Sequence, residues 1–110
     1  MNNRYTCLPK ELLIAGQSLE SMDISEMAWK SQDALRVIDF LANKGYAILG
    51  GDVYTFDKNS IESTYDSWFT NRTIGESFIE ESKNKAFEYI SEYSKNNGDN
   101  YLYSIIFELS

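Results

Sequence analysis

Apolar positions along the chain change period several times, and each change marks an element. From Ser31 onward, Ala34, Leu35, Ile38, Leu41 and Ala42 recur at the spacing of one helical face until Asn43-Lys44-Gly45 closes the run. Ser31 stands where an N-cap hydroxyl is expected and Asp33 falls in the first turn, so the segment predicts a helix. A second long helix opens at Glu76-Ser77, with Ile79, Ala86, Phe87, Ile90 and Tyr93 on one face, and stops in the turn-rich run Lys95-Asn96-Asn97-Gly98-Asp99-Asn100. A third, short helix is predicted over Leu8 to Gly16, where Pro9 suits a first turn and Gly16 a C-terminal stop.

Elsewhere the period is that of a strand. Met27 and Trp29 alternate with polar or small neighbours after the polar, irregular stretch Gln17 to Ser25, which predicts a loop and a short strand. Tyr46 to Phe56 is rich in strand formers but interrupted by Gly50-Gly51, the mark of a bulge or a close backbone approach. Asp57-Lys58-Asn59-Ser60 turns this strand back onto Ile61 to Phe69 as an antiparallel hairpin, and Tyr101 to Leu109 alternates as a closing strand. The predicted order is α-β-α-β-β-α-β in one domain over residues 1–110. Two well-formed helices and no long βαβ series imply an α+β fold, an antiparallel or mixed sheet with the two main helices packed on it.

Charge narrows the partners. Seventeen acidic against ten basic residues give a net charge of −7, a field that repels phosphate backbones and attracts basic surfaces, so a nucleic-acid partner is disfavoured. No stretch is long and apolar enough for a membrane span, and the N-terminus lacks a signal-peptide pattern, so a cytoplasmic protein without a membrane partner is expected. The chain has no histidine and one cysteine, Cys7, which removes the commonest metal ligand and general base and leaves the thiol without its usual activating partner. No cofactor, metal site or catalytic set is therefore expected. Asp52 with Asp66, and Glu76 with Glu80 and Glu81, lack diagnostic spacing, and the second group suits the start of a helix electrostatically. Gly50-Gly51-Asp52 is followed by more strand rather than a helix, so it is no phosphate loop, and the sequon Asn71-Arg72-Thr73 is discounted for want of a secretion signal.

Aromatic residues make up 15% of the chain and gather on the predicted hairpin, too densely for all of them to face one core. Alternation puts Asp52, Tyr54 and Phe56 on one side of their strand, Tyr65, Ser67 and Phe69 on one side of the next, and Asp66 and Trp68 on the other. Exposed Tyr and Trp beside carboxylates suit an interface with a basic partner, while core packing accounts for any single ring equally well. Trp29 and the stripe Leu35, Ile38 and Leu41 are assigned to the core by periodicity.

Trp29, the helix from Ser31 to Gly45, the run Leu49-Gly50-Gly51-Asp52-Val53-Tyr54, the group Tyr65-Asp66-Ser67-Trp68 and Gly75-Glu76-Ser77 together resemble immunity protein family 40 over nearly the whole chain. The resemblance implies a small cytoplasmic α+β protein encoded beside a toxin of a bacterial polymorphic or contact-dependent inhibition system. Its expected role is to bind and neutralise that toxin domain, not to catalyse. A nuclease toxin would offer a basic groove, and Asp52, Tyr54, Tyr65, Asp66 and Trp68 are the candidates for toxin contact, carboxylates pairing Lys or Arg and rings filling apolar pockets. In the competing reading, Gly50-Gly51-Asp52 shapes a bulge and the aromatics pack beneath it. Two other function classes stand behind this one: a ligand- or metal-binding regulatory domain using the acidic hairpin, which Ca²⁺ binding would test, and, more weakly, a carboxylate-pair enzyme.

Overall fold

One strand carries the sheet. In the computed structural model, which describes residues 3–58, 60–71 and 78–109, the strand β3 spans Tyr46–Asp57 and pairs along both of its edges. Before it come a 3-10 turn at Asn3–Cys7, α1 at Lys10–Ala15, β1 at Gln17–Ser18, a second 3-10 turn at Glu20–Met22, β2 at Met27–Trp29 and α2 at Ser31–Asn43. After it follow β4 at Ser60–Phe69, α3 at Phe78–Asn97, β5 at Tyr101–Ser104 and β6 at Ile106–Leu109. All the pairings are antiparallel, in the order β1-β2-β5-β3-β4 with β6 also on β3, and with the helices this makes the fold α+β.

The closing strand is split for a reason that lies in β3. Its first part, β5, pairs Val53–Thr55 and its second, β6, pairs Tyr46–Gly50, with a register shift between Ile48 and Gly50 where Gly50 takes φ +152°. A bulge there breaks the run at Ile105, and the fully buried Ser104 repairs the ladder: the Asp52 amide donates to Ser104 Oγ at 2.9 Å. β5 is consequently an interior strand between β2 and β3, and the long free edge of the sheet belongs to β4.

Both long helices cover the same face. α2 buries Ala34, Val37, Ile38 and Leu41, the stripe its periodicity predicts. Lys30, not Ser31, occupies its N-cap position and makes no side-chain cap bond; Ser31 is the first helical residue and accepts a hydrogen bond from Ser94 on α3. α3 presents Phe78, Ser82, Ala86 and Ile90, four residues apart, to the sheet. Small side chains at Ser82 and Ala86 let it come close, and the Ile48 amide donates to Ser82 Oγ at 3.0 Å. Trp29, fully buried, donates from Nε1 to the Leu12 carbonyl at 2.8 Å and so ties α1 to β2. The opposite face has a smaller core of Leu19, Ala28, Tyr54 and Leu102, roofed by the segment that the sequence reads as an irregular loop. The predicted opening of α3 at Glu76-Ser77 lies outside the described residues.

Gly51 is where this packing is tightest. A Cβ there would collide with the Ser104 carbonyl oxygen and stand 2.5 Å from Trp68 Cη2. Gly51→Ala is expected to lower the unfolding free energy by about 3 kcal/mol, since relief requires moving backbone as well as a ring. Urea unfolding of the variant beside the parent chain measures it, and an unchanged midpoint would show that the approach is not as close as described.

Candidate functional site

The hairpin β3–β4 departs from regular pairing at one place. Asp52 faces Ser67 and Tyr54 faces Ser63, so Thr64, Tyr65 and Asp66 together stand opposite Val53. Hydroxyl groups hold this bulge. Thr64 Oγ1 donates to the Val53 carbonyl at 2.8 Å and accepts the Asp66 amide at 3.0 Å, while Ser63 Oγ accepts the Tyr65 amide at 3.0 Å. Short hydroxyl side chains that bond neighbouring backbone groups compete with the ladder in this way and stabilise a local turn. Tyr65 is thereby fixed in the left-handed region at φ 67° and is 93% exposed. A tyrosine in that conformation costs on the order of 1 kcal/mol, borne by the surrounding hydrogen bonds.

Beyond the bulge, Asp66 and Trp68 turn toward α3. Tyr93 donates its hydroxyl proton to Asp66 Oδ2 at 2.8 Å. Trp68 stacks on Tyr89 with centroids 5.1 Å apart and planes at 23°, Tyr89 continues the stack to Tyr93 at 5.9 Å, and Tyr93 meets Tyr101 and Tyr103 edge-on. Burial, and then the Asp66 hydrogen bond, push the Tyr93 phenol up to about 12. Burial raises the Tyr89 phenol too, with Asp66 adding to it, and burial raises that of Tyr103.

The five candidate residues therefore do not form one patch. Trp68 is 5% exposed and belongs to the main core. Tyr54 is 4% exposed in the smaller core on the opposite face, its phenol raised by burial and then by Asp52 and Glu26. Asp52 shares that face with Tyr54 and is partly exposed. Only Tyr65 and Asp66 are adjacent and outward. The alternation read from the sequence is right for Asp52 and Tyr54 and for Asp66 and Trp68, but burial turns both large rings into supports of the strand.

Three residues near the bulge were not among the candidates. Phe69, 68% exposed, ends β4 with Lys85 Nζ of α3 5.9 Å from its ring centroid. Tyr89 and Tyr93 sit one helical turn apart against β4, and that four-residue spacing of tyrosines was the available signal. Helical geometry puts the exposed Glu88 and Glu92 on the same flank of α3 as Lys85. Among the described residues no three of His, Cys, Asp and Glu are grouped to hold a metal, and no helix is long and apolar enough to cross a membrane. Glu80 and Glu81 are exposed in the first turn of α3, and Glu76 lies outside the described residues.

Titration of Tyr93 tests the contact with Asp66. Its folded pKa lies above the unfolded value of 10.0, so the stability it contributes is complete below pH 10.0 and is lost as pH rises through about 12. Urea unfolding is expected to weaken across that window, and less so in Tyr93→Phe. An identical profile in the variant would remove Tyr93 from the account.

No curated protein and no solved structure gives a significant match. A family model, described as Immunity protein 40, matches residues 18–107, a span that takes in β2, α2, the whole bulged hairpin, α3 and β5. The chain belongs to the immunity protein 40 family.

Proposed function

We propose that this protein neutralises a cognate bacterial toxin domain in the cytoplasm by holding it against the bulge of β4, with Tyr65 and Asp66 at the centre of the contact. Family membership supports immunity as the role and a toxin protein as the partner. The observation that carries the choice of surface is Tyr65 itself: a large ring, almost wholly exposed, on a backbone already fixed by three hydrogen bonds. Binding then orders little that was free, which is the condition under which an aromatic contributes most of its buried area to affinity.

Each residue has a distinct part in this reading. The Tyr65 ring enters an apolar pocket of the toxin, and Asp66 pairs a toxin Lys or Arg while Tyr93 holds the carboxylate in place. Trp68 and Tyr54 act from beneath, keeping β4 and β3 in register, and Asp52 adds a second carboxylate on the other face of the hairpin. A net charge of −7 favours a basic target, as the phosphate-binding groove of a nuclease would be, and speeds encounter at low salt. The function is one of binding, without a reaction.

Growth rescue tests the role: the candidate toxin domain encoded upstream of this gene is expressed in a sensitive host with and without this protein, and the purified pair is assayed for a complex. Rescue and a stable complex are expected. No rescue and no complex, with both proteins folded, would overturn immunity itself. Tyr65→Gly and Asp66→Asn test the surface. Glycine accepts the left-handed backbone, so stability should stay within about 1 kcal/mol of the parent while affinity for the toxin falls by about tenfold or more. Full affinity in both variants would move the contact elsewhere.

A further inference from the structure

At the edge of the sheet farthest from β4 lies a cavity of about 420 Å³, bounded by the N-terminal 3-10 turn, the end of α1 and the segment entering β2. Its volume is that of a small-molecule site. Tyr5, Leu13 and Met27 supply apolar wall, and Glu20 and Glu26 supply two carboxylates, with no Lys or Arg among the lining residues. Tyr5 is buried and immobilised there, its hydroxyl accepting the Met27 amide at 3.1 Å.

Glu26 is the feature that asks for a ligand. Its Oε1 is buried and accepts no hydrogen bond from any described residue. Described ion pairs engage Glu11, Asp33 and Asp39 but neither Glu20 nor Glu26. A buried carboxylate oxygen without a donor is costly to maintain, and a cation that reaches it removes the cost. The Arg4 guanidinium carbon lies 6.0 Å from the Tyr5 ring centroid, so a guanidinium already packs against this aromatic ring.

We propose that this cavity binds an alkylammonium or alkylguanidinium group, the aliphatic stem along Leu13 and Met27 and the charged head at the carboxylates of Glu20 and Glu26. Anions are repelled by the same two carboxylates, and a neutral guest such as an alcohol offers the buried oxygen of Glu26 only an uncharged hydrogen bond, about half as strong as a charge-assisted one. A free amine or guanidine and a Lys or Arg side chain of a partner protein share this chemistry.

The full chain titrated with agmatine, with cadaverine and with the neutral analogue pentanol, followed by amide chemical shifts, tests the site. Saturable shifts at Tyr5, Glu26 and Met27 are expected with both cations and not with pentanol. Glu26→Gln should weaken agmatine by about tenfold, the loss of one charge-assisted contact, and the Glu20→Gln/Glu26→Gln double variant should abolish saturation. If Glu26→Gln does not fold, Glu20→Gln alone should still weaken both cations while leaving pentanol unchanged. No saturable shift with either cation, equal binding of pentanol, or undiminished agmatine binding in the double variant would overturn the proposal. Once agmatine saturates, an excess is added to the toxin complex. Release of the toxin assigns the cation to a toxin side chain, and an intact complex assigns it to a free amine or guanidine. Because the cavity and the β4 bulge occupy opposite edges of the sheet, failure here leaves the toxin contact at Tyr65 standing.

Discussion

The close approach of backbones at Gly50-Gly51 is the constraint on which the rest of the structure depends. β3 serves three partner strands, and it does so by changing register against β6 just before Gly50 and against β4 just after Asp52. Between these two irregularities the chain must pass beside Ser104 on one edge and beneath the ring of Trp68 on one face, leaving no volume for a Cβ at Gly51. At Gly50 the Trp68 carbonyl lies on the other edge, and φ is one that side chains rarely adopt. The absence of two side chains therefore lets Trp68 lie flat over β3 and under Tyr89. That ring in turn carries the stack of Tyr89 and Tyr93 on the helix side of β4.

The bulge in β4 answers a different problem. A ten-residue strand on the edge of a sheet offers unpaired backbone groups to any other strand, and proteins blunt such edges with bulges and charges. Here Thr64 to Asp66 interrupt the edge, with Glu62 and Asp66 exposed along it. The same irregularity that discourages indiscriminate pairing lifts Tyr65 out of the sheet. Protection of the edge and presentation of a ring thus have one structural cause.

How much of this was legible in the sequence depended on the range of the forces involved. The helix at Ser31–Asn43 and the hairpin were readable because their periodicity and turn residues act over a few positions. The Gly-Gly pair was readable as a bulge, since glycine inside a strand has few other uses. Burial of Tyr54 and Trp68 was legible only as one of two competing readings. Alternation gives the side of a strand, but whether that side meets solvent depends on what arrives from afar, Leu19 over Tyr54 and Tyr89 over Trp68. The second bulge escaped notice because Ser63-Thr64-Tyr65 looks like ordinary strand composition, and its hydroxyls turn inward to the backbone only in the folded pairing. Ser31 failed as a cap for a similar reason: its hydroxyl found Ser94 across the helix interface.

A surface ring contributes to recognition in proportion to how little must be ordered on contact, and in the proposed contact the Tyr65–Asp66 bulge is held in advance by two routes. Local hydroxyl bonds set its backbone, and the neighbouring carboxylate is anchored at distance by Tyr93, itself wedged among Tyr89, Tyr101 and Tyr103. By the second route the long helix would support the proposed contact without touching a partner: a shift of α3 along the sheet would move Tyr93, release Asp66 and unstack Trp68 together. Rigid support of this kind explains why so many aromatics are spent on one edge of a small protein. Hydrophobic burial alone would be served by Leu and Ile, whereas flat rings with hydroxyl ends both fill the core and hold a carboxylate at its surface. The division of labour follows from position: rings that meet α3 build the platform, and the single ring the bulge expels is left exposed for the proposed contact.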